Sequence, residues 1–209
     1  MEAKEFIPKI EEALSKKTER KFKQTVDVIF NFEGVEIEGE HKLNLNILLP
    51  KGRGKDVEIG FFADGDMNVR AKKHSKHVLS KNEFEDYAKN KRKMRVYAGQ
   101  CYSFIAQADL MGAIGKTWGI VLGPRGKMPQ PFPPTANLDE LIKRIKNTVR
   151  VKSKKLPTIQ VPVGVEDMTP EDLSENIMAV YTTVERAIPR DNIISLYVKT
   201  TMGEAVRIW

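Results

Sequence analysis

The sequence predicts a two-domain protein of mixed class, in which a three-layer Rossmann-like α/β domain is inserted into a discontinuous α+β domain. Three observations predict it. Strands alternate with helices only in the middle of the chain. Each end supplies a helix and too few strands for a stable sheet, since a lone hairpin is marginal in water. Two breaker clusters, Pro50-Lys51-Gly52-Arg53-Gly54-Lys55 and Lys152-Ser153-Lys154-Lys155-Leu156-Pro157, part the middle from the ends. With 209 residues, 41% hydrophobic and 30% charged, the chain can fill two such cores.

Taken in order, Glu5 to Leu14 sets Phe6, Ile7, Ile10, Ala13 and Leu14 on one helical stripe. Val26, Val28, Phe30 and Phe32 alternate as a half-buried strand, and Leu43, Leu45, Ile47 and Leu49 alternate as a second. The middle begins with an apolar run at Val57 to Ala63, followed by a helix holding Phe84, Tyr87 and Ala88. A strand near Tyr102 to Ala106, a helix opening at Asp109 and a helix from Leu138 to Val149 complete it, the last capped by Asn137 with Glu140 three residues on. Beyond the second cluster a strand near Ile159 to Val165 precedes a helix with Thr169 at its N-cap and Pro170 at its first position, its stripe carried by Leu173, Ile177, Tyr181 and Val184. Ile194, Leu196 and Val198 alternate, and a short strand at Ala205 to Ile208 ends the chain. The two ends together form a four-stranded α+β unit. The expected domains are 1–53 with 156–209, and 54–155, joined by paired hinge linkers near 50–55 and 152–157.

Leu122 to Thr135 cannot be a helix or central strand. Its five prolines remove donors and restrict φ, and Gly123 and Gly126 flank Pro124-Arg125 where positive φ or close approach is needed. It carries Arg125 and Lys127 and no acid, which suits an anion or the protein's own surface.

Net charge is +7 and unevenly spread: residues 1–52 carry −1, residues 53–155 carry +12 and residues 156–209 carry −4. Nucleic acid, an anionic membrane or acidic partners all fit such a balance. No apolar run spans a bilayer and the start lacks a secretory segment, so the expectation is a cytoplasmic protein with no membrane partner. The single Cys101 is expected as a buried thiol.

The motifs that resemble catalytic ones fail on spacing. Gly115-Lys116-Thr117 lacks the first glycine of a phosphate-binding loop, because Leu110 stands there, so a short helix capped by Asp109, with glycines for close packing, is expected instead. His74 and His77 make half a zinc site with nothing to complete it, which leaves solvated histidines in a basic helix. Asp64-Gly65-Asp66 fits a turn capping the next helix. Cys101 has no local histidine and no nucleophile elbow occurs. No catalytic residue, metal or cofactor is expected. One enzymatic alternative remains, an α/β enzyme binding an anionic substrate at the Gly123–Thr135 loop; against it stands the lack of a general base or nucleophile beside the loop.

Nucleic-acid signals are stronger. Lys16 to Lys23 gathers five cations around Phe22 where the first helix yields to a strand, and phosphates favour such a run, although cations also complement a helix C-terminus. Thr200-Thr201-Met202-Gly203 offers hydroxyls, an apolar side chain and exposed backbone, the groups that recognise RNA shape and 2′-hydroxyls; a plain hairpin turn is the other reading. The run Lys89 to Lys93 with Arg95 reads as a solvated helix face, with an RNA contact as the other reading.

Met111-Gly112-Ala113-Ile114-Gly115, leading into Leu122-Gly123-Pro124-Arg125-Gly126-Lys127-Met128-Pro129, resembles the signature loop of the ribosomal protein L1 family. Independently, Ser195 to Ile208 resembles that family's C-terminal ending and Lys21 to Asp27 its first strand entry. The order of motifs carries the resemblance over the whole chain, and Lys127-Met128-Pro129-Gln130-Pro131-Phe132 is similar to the archaeal branch. The resemblance implies a structural constituent of the large ribosomal subunit, no enzyme, that binds 23S-type ribosomal RNA mainly through the discontinuous domain. Carried across by motif, it implies RNA contacts at Lys21, Phe22, Thr25, Ser195, Thr201, Met202 and Gly203, with Asp27 as a polar partner; Arg125 and Lys127 on the loop are available for a secondary RNA contact. It further implies a mobile stalk near the tRNA exit site, tRNA leaving the ribosome as a partner, repression of translation through own-operon messenger RNA, and a monomer when free. A free-standing messenger RNA regulator fits the same residues. Charge alone would put RNA on the middle; the motifs put the specific anchor on the ends.

Overall fold

The computed structural model describes residues 3–34, 43–133, 137–153 and 156–209. The chain divides into two compact units, one formed by 1–55 with 147–209 and the other by 56–146. In chain order the N-terminal segment gives α1 (Ile7–Ser15), β1 (Thr25–Phe32) and β2 (Asn44–Leu48). The insert gives β3 (Ile59–Phe62), α2 (Asp66–Lys72), β4 (Val78–Leu79), α3 (Lys81–Ala88), α4 (Lys91–Gln100), β5 (Ser103–Gln107), α5 (Met111–Leu122), β6 (Gln130–Phe132) and α6 (Leu138–Lys146). The return segment gives β7 (Thr148–Lys152), β8 (Thr158–Val165), α7 (Pro170–Ala187), β9 (Ile193–Thr200) and β10 (Val206–Arg207).

The discontinuous unit is an antiparallel sheet in the order β10-β9-β1-β8, with helices on one face. In β1 the apolar residues Val26, Val28, Phe30 and Phe32 are buried and the intervening ones half-buried, the signature of a sheet with a single covered face. Phe6, Ile10 and Ala13 at the chain start and Leu173, Ile177, Val180, Tyr181 and Val184 of α7 cover it. Thr169 starts α7 as its pattern requires, its hydroxyl accepting from Asp172 N at 3.2 Å.

β2 differs from expectation. It leaves the four-stranded sheet to pair with β7, from Asn44 opposite Lys152 to Leu48 opposite Thr148. The expected helix to Val149 therefore stops at Lys146: Asn147 O accepts from Leu49 N at 3.0 Å, and the β-branched Thr148, Val149 and Val151 continue as strand. The sequence-based boundary at 155/156 gives way to one at 146/147, and the cluster at 152–157 joins β7 to β8 inside the discontinuous unit; its Lys154 and Lys155 lie outside the described residues.

The insert is a parallel sheet, β4-β3-β5-β6, packed on both faces. All four residues of β3 are buried, which explains its unbroken apolar run. One face carries Phe62, Phe84, Phe104, Ile114 and Trp118 toward α3, α4 and α5; the other carries Ile59, Phe61, Ile105, Leu138, Ile142 and Ile145 toward α2 and α6.

The proline-rich stretch resolves into a helix cap and an edge strand. Gly126 has φ +67°, its N–H donates to Gly123 O at 2.9 Å, and Lys127 N donates to Leu122 O at 2.9 Å, a Schellman closure of α5. Pro131 then sits in β6 at the edge of the sheet, where a missing donor costs least. Pro134 and Thr135 lie outside the described residues.

Candidate nucleic-acid interface

Of the predicted anchor residues, Thr25, Thr201, Met202 and Gly203 come together where β9 leaves the sheet and β1 enters it, with Val26 opposite Thr200. One residue beyond that rung the Thr201 hydroxyl takes over the ladder, accepting from Thr25 N at 3.0 Å and donating to Thr25 O at 3.2 Å. The turn closes through Gly203 N to Thr200 O at 3.2 Å, and a Cβ on Gly203 would collide with the Thr200 hydroxyl. Glycine is therefore required there by space.

Gln24, 1% exposed, locks the turn from inside. Its Oε1 accepts from Met202 N at 2.9 Å and its Nε2 donates to Thr18 O at 2.6 Å. Its backbone exchanges bonds with Glu166, N to Oε1 at 3.0 Å and O from Glu166 N at 3.0 Å. Lys17 pairs with Glu166 at 3.2 Å and Lys23 with Asp167 at 2.7 Å. Hydrogen bonds from Gln24 N and Lys17 hold the Glu166 carboxyl below its usual pKa, and Lys23 does the same for Asp167. Sequence reasoning passed over Gln24, yet it occupies the buried phase of β1, two before Val26, and a polar residue on an apolar phase is a signal.

Two large apolar side chains stand in solvent, Met202 on the fixed turn at 49% exposure and Phe22 in the segment leading into β1 at 52%. Lys21 is exposed beside Phe22 in the chain. Asp27 lies two residues along β1 on the half-buried face, opposite Lys199; burial pushes its carboxyl up, and the Lys199 charge pulls it back in part.

Ser195 is placed elsewhere. It faces Asn31, five rungs from the Val26–Thr200 pair and roughly 17 Å along the strands. It is 6% exposed, and its hydroxyl accepts from Asn31 Nδ2 at 2.9 Å while Asn31 Oδ1 accepts from Thr158 at 3.0 Å. Between the two ends the same sheet face carries Ile29, Tyr197 and Lys199, all half-buried and none foreseen from the sequence.

The two loop cations are held by backbone carbonyls of α4, Lys127 by those at its end and Arg125 by one in its middle. Lys127 Nζ donates to Ala98 O at 2.8 Å and to Cys101 O, and Arg125 Nη1 donates to Arg95 O at 3.0 Å. Burial, then the Arg125 charge, holds the Lys127 pKa below the usual lysine value.

The rejected motifs also find places. Gly115-Lys116-Thr117 lies inside α5, where the Thr117 hydroxyl bonds back to Ala113 O at 2.8 Å. Asp109 does not cap that helix; its carboxylate accepts from Gln107 Nε2 at 3.2 Å. Nor do the α5 glycines serve close packing, since a Cβ on Gly112, Gly115 or Gly119 would meet nothing within 4 Å. His74 and His77 lie beyond the end of α2 instead of within a helix, His74 at 3.4 Å from Asp139 and His77 with its ring edge on Tyr97. Among the described residues no group of three or more His, Cys, Asp or Glu side chains could hold a metal, and no helix is long and apolar enough to cross a membrane. Cys101 is buried, which pushes its thiol up to about 11.

The ribosomal protein L1p/L10e family pattern matches residues 14–204, through both units and the Thr201–Gly203 turn. The chain belongs to this family. It is 40% identical over 208 residues to "Large ribosomal subunit protein uL1" of Methanobrevibacter smithii, covering 98% of each chain. It is 41% identical over 202 residues to the protein of that name from Thermoplasma acidophilum, covering 95% of this chain and 93% of the relative, and 39% identical over 207 residues to that of Methanosarcina mazei, covering 97% of each. The archaeal character expected from Lys127 to Phe132 agrees with these relatives. In this member of the L1 family the two motifs fall on different units, the signature loop on the insert and the Thr-Thr-Met-Gly turn on the discontinuous one.

Proposed function

We propose that this chain is a structural constituent of the large ribosomal subunit, cytoplasmic and ribosome-associated, which binds 23S-type ribosomal RNA through its discontinuous unit. Family membership and the relatives' names support the subunit assignment. One observation carries the location: Met202 is held in solvent on a turn whose backbone is cross-tied through Thr201 and Gln24, and Phe22 is exposed in the segment that Gln24 ties to that turn. A rigid turn bearing apolar faces, hydroxyls and backbone suits a folded RNA, whose unstacked bases and 2′-hydroxyls are read by shape and stacking. Lys21, Thr25, Asp27 and Gly203 complete the contact surface, and Ser195 joins it if the RNA continues along the sheet face.

The chain crosses between units twice, near 55/56 and 146/147, and we assign the hinge of a mobile stalk to those crossings. The basic insert then meets departing tRNA, with Arg125 as a secondary contact and Lys127 mainly shaping its loop. Repression follows if the chain's own messenger RNA presents the ribosomal shape to the same turn.

The test is binding to a large-subunit RNA fragment, with co-sedimentation on large subunits. Thr201→Ala and Met202→Ala are each expected to weaken fragment binding about tenfold or more. Unchanged binding in those variants, with loss on replacing Lys89 or Arg92, would show the anchor to be misplaced. Failure to co-sediment at low salt would leave only a free-standing messenger RNA regulator.

A further inference from the structure

The insert carries a cleft that the anchor does not use. It lies between α3 and α4, has a volume of about 610 Å³, and its lining includes Tyr87, Asn90, Arg92, Lys93, Val96 and Tyr97. Asn90 caps α4, its Oδ1 accepting from Arg92 N at 3.0 Å and Lys93 N at 3.2 Å. Lys91, Arg92, Lys93 and Arg95 then crowd the start of that helix with no acid among them. Cations at the positive end of a helix dipole repel it and one another, so the free protein bears a strain that an anion relieves. Asp86, also at the cleft, is paired with Lys89 at 2.8 Å.

A second observation is independent of that charge. Tyr97 lines the same cleft at 8% exposure, and its hydroxyl has no hydrogen-bond partner among the described residues. Burial raises its pKa well above the usual tyrosine value, so it remains a donor lacking an acceptor. Beside it the half-buried ring of Tyr87 and the Val96 side chain, 59% exposed, offer apolar walls. An aromatic wall, backed by that buried and unpaired hydroxyl, with cations clustered at its rim, is the chemistry that holds a base and its phosphate.

We propose that this cleft seats one unpaired RNA nucleotide, its base against Tyr87 and Val96 and its phosphate on Arg92 and Lys93. The assignment rests on the RNA-binding reading above and adds to it a second, separate contact. Trp118 is buried behind the cleft and reports on it through the rings that line it, 6.2 Å from Tyr87 and 5.9 Å from Tyr97. The chain has two tryptophans, so Trp209→Phe leaves Trp118 as the only one.

In that full-length background a short single-stranded oligoadenylate should quench Trp118 emission saturably, while inorganic phosphate and a blunt RNA duplex of equal charge should not. Val96→Asp, and Arg92→Ala combined with Lys93→Ala, should each weaken the response about fivefold or more. All three residues are exposed, so the fold is retained. Equal quenching by duplex or phosphate, or unaltered affinity in both variants, overturns the proposal. Binding of the large-subunit RNA fragment is measured on the same proteins: if it fails in the wild type the anchor reading falls, and if it persists without a Trp118 response only the cleft falls.

Discussion

The discontinuous unit carries 19 Lys and Arg against 18 Asp and Glu, while the insert carries 16 against 10. The charges are thus +1 and +6, where the segments 53–155, 1–52 and 156–209 carry +12, −1 and −4. Arg150, Lys152, Lys154 and Lys155 leave the middle because β7 pairs with β2, and Arg53 and Lys55 fall before the first crossing at 55/56. The near-neutral unit holds the cross-tied turn with its exposed apolar side chains; the basic unit spreads its cations over helix faces and one cleft. On the function proposed above, attraction to RNA and recognition of RNA are built separately, one from charge density and one from a backbone cross-tied by hydrogen bonds.

The sharpest way to break that comparison is to unlock the turn without touching its surface. Gln24→Leu removes the two side-chain bonds that hold Met202 N and Thr18 O, leaving two part-buried backbone groups without those partners. We expect a loss of about 2 to 3 kcal/mol in denaturant unfolding, together with loss of fragment binding beyond that of either surface variant. Lower stability with intact binding would mean that turn geometry is not what the RNA reads.

The position of Gln24 also shows what sequence patterns carry. The alternation of Val26 to Phe32 and the stripe of α7 are local periodicities, and both elements formed where those patterns lie. The partner of β2 is not local: β7 follows α6 after a single residue, so its apolar residues continue the helical stripe until pairing with β2 decides otherwise. Thr201 and Met202 were legible as a motif, but their tie to Thr25 and Gln24 joins residues more than 170 positions apart, which no window could show. Ser195 shares a strand with the turn and, by strand rise alone, lies at the far end of it.

Next in size is Met202→Ala, which removes an exposed side chain and leaves every bond of the turn in place. Fragment affinity should fall about tenfold, or about 1.4 kcal/mol, with no change in unfolding midpoint. Equal losses in both measurements would make Met202 a packing residue instead of a contact.

On the basic side, Lys91→Gln combined with Lys116→Gln should leave fragment affinity at fixed salt within about twofold. Binding to non-specific RNA should show a shallower salt dependence, by up to about 0.9 in log–log slope for each phosphate that the variant no longer neutralises. A change in fragment discrimination between cognate and scrambled RNA would blur the division between the units.

The smallest expected effect lies on the sheet face beside the turn, at Asp27. Burial raises its folded pKa above the ordinary carboxylate value, so between those two values the folded protein keeps a proton that the unfolded chain releases. Stability from this group is therefore complete below the ordinary value and is lost as pH rises through the raised one. At neutral pH the wild type holds a partly desolvated charge that Lys199 only partly offsets. Asp27→Asn should consequently be slightly more stable than wild type at neutral pH, and the advantage should vanish as pH falls below the ordinary carboxylate range. Unfolding midpoints of both proteins across that range decide the matter: a difference independent of pH would mean that the carboxylate is solvated, and that the face beside the anchor presents a free negative charge that an RNA phosphate must avoid.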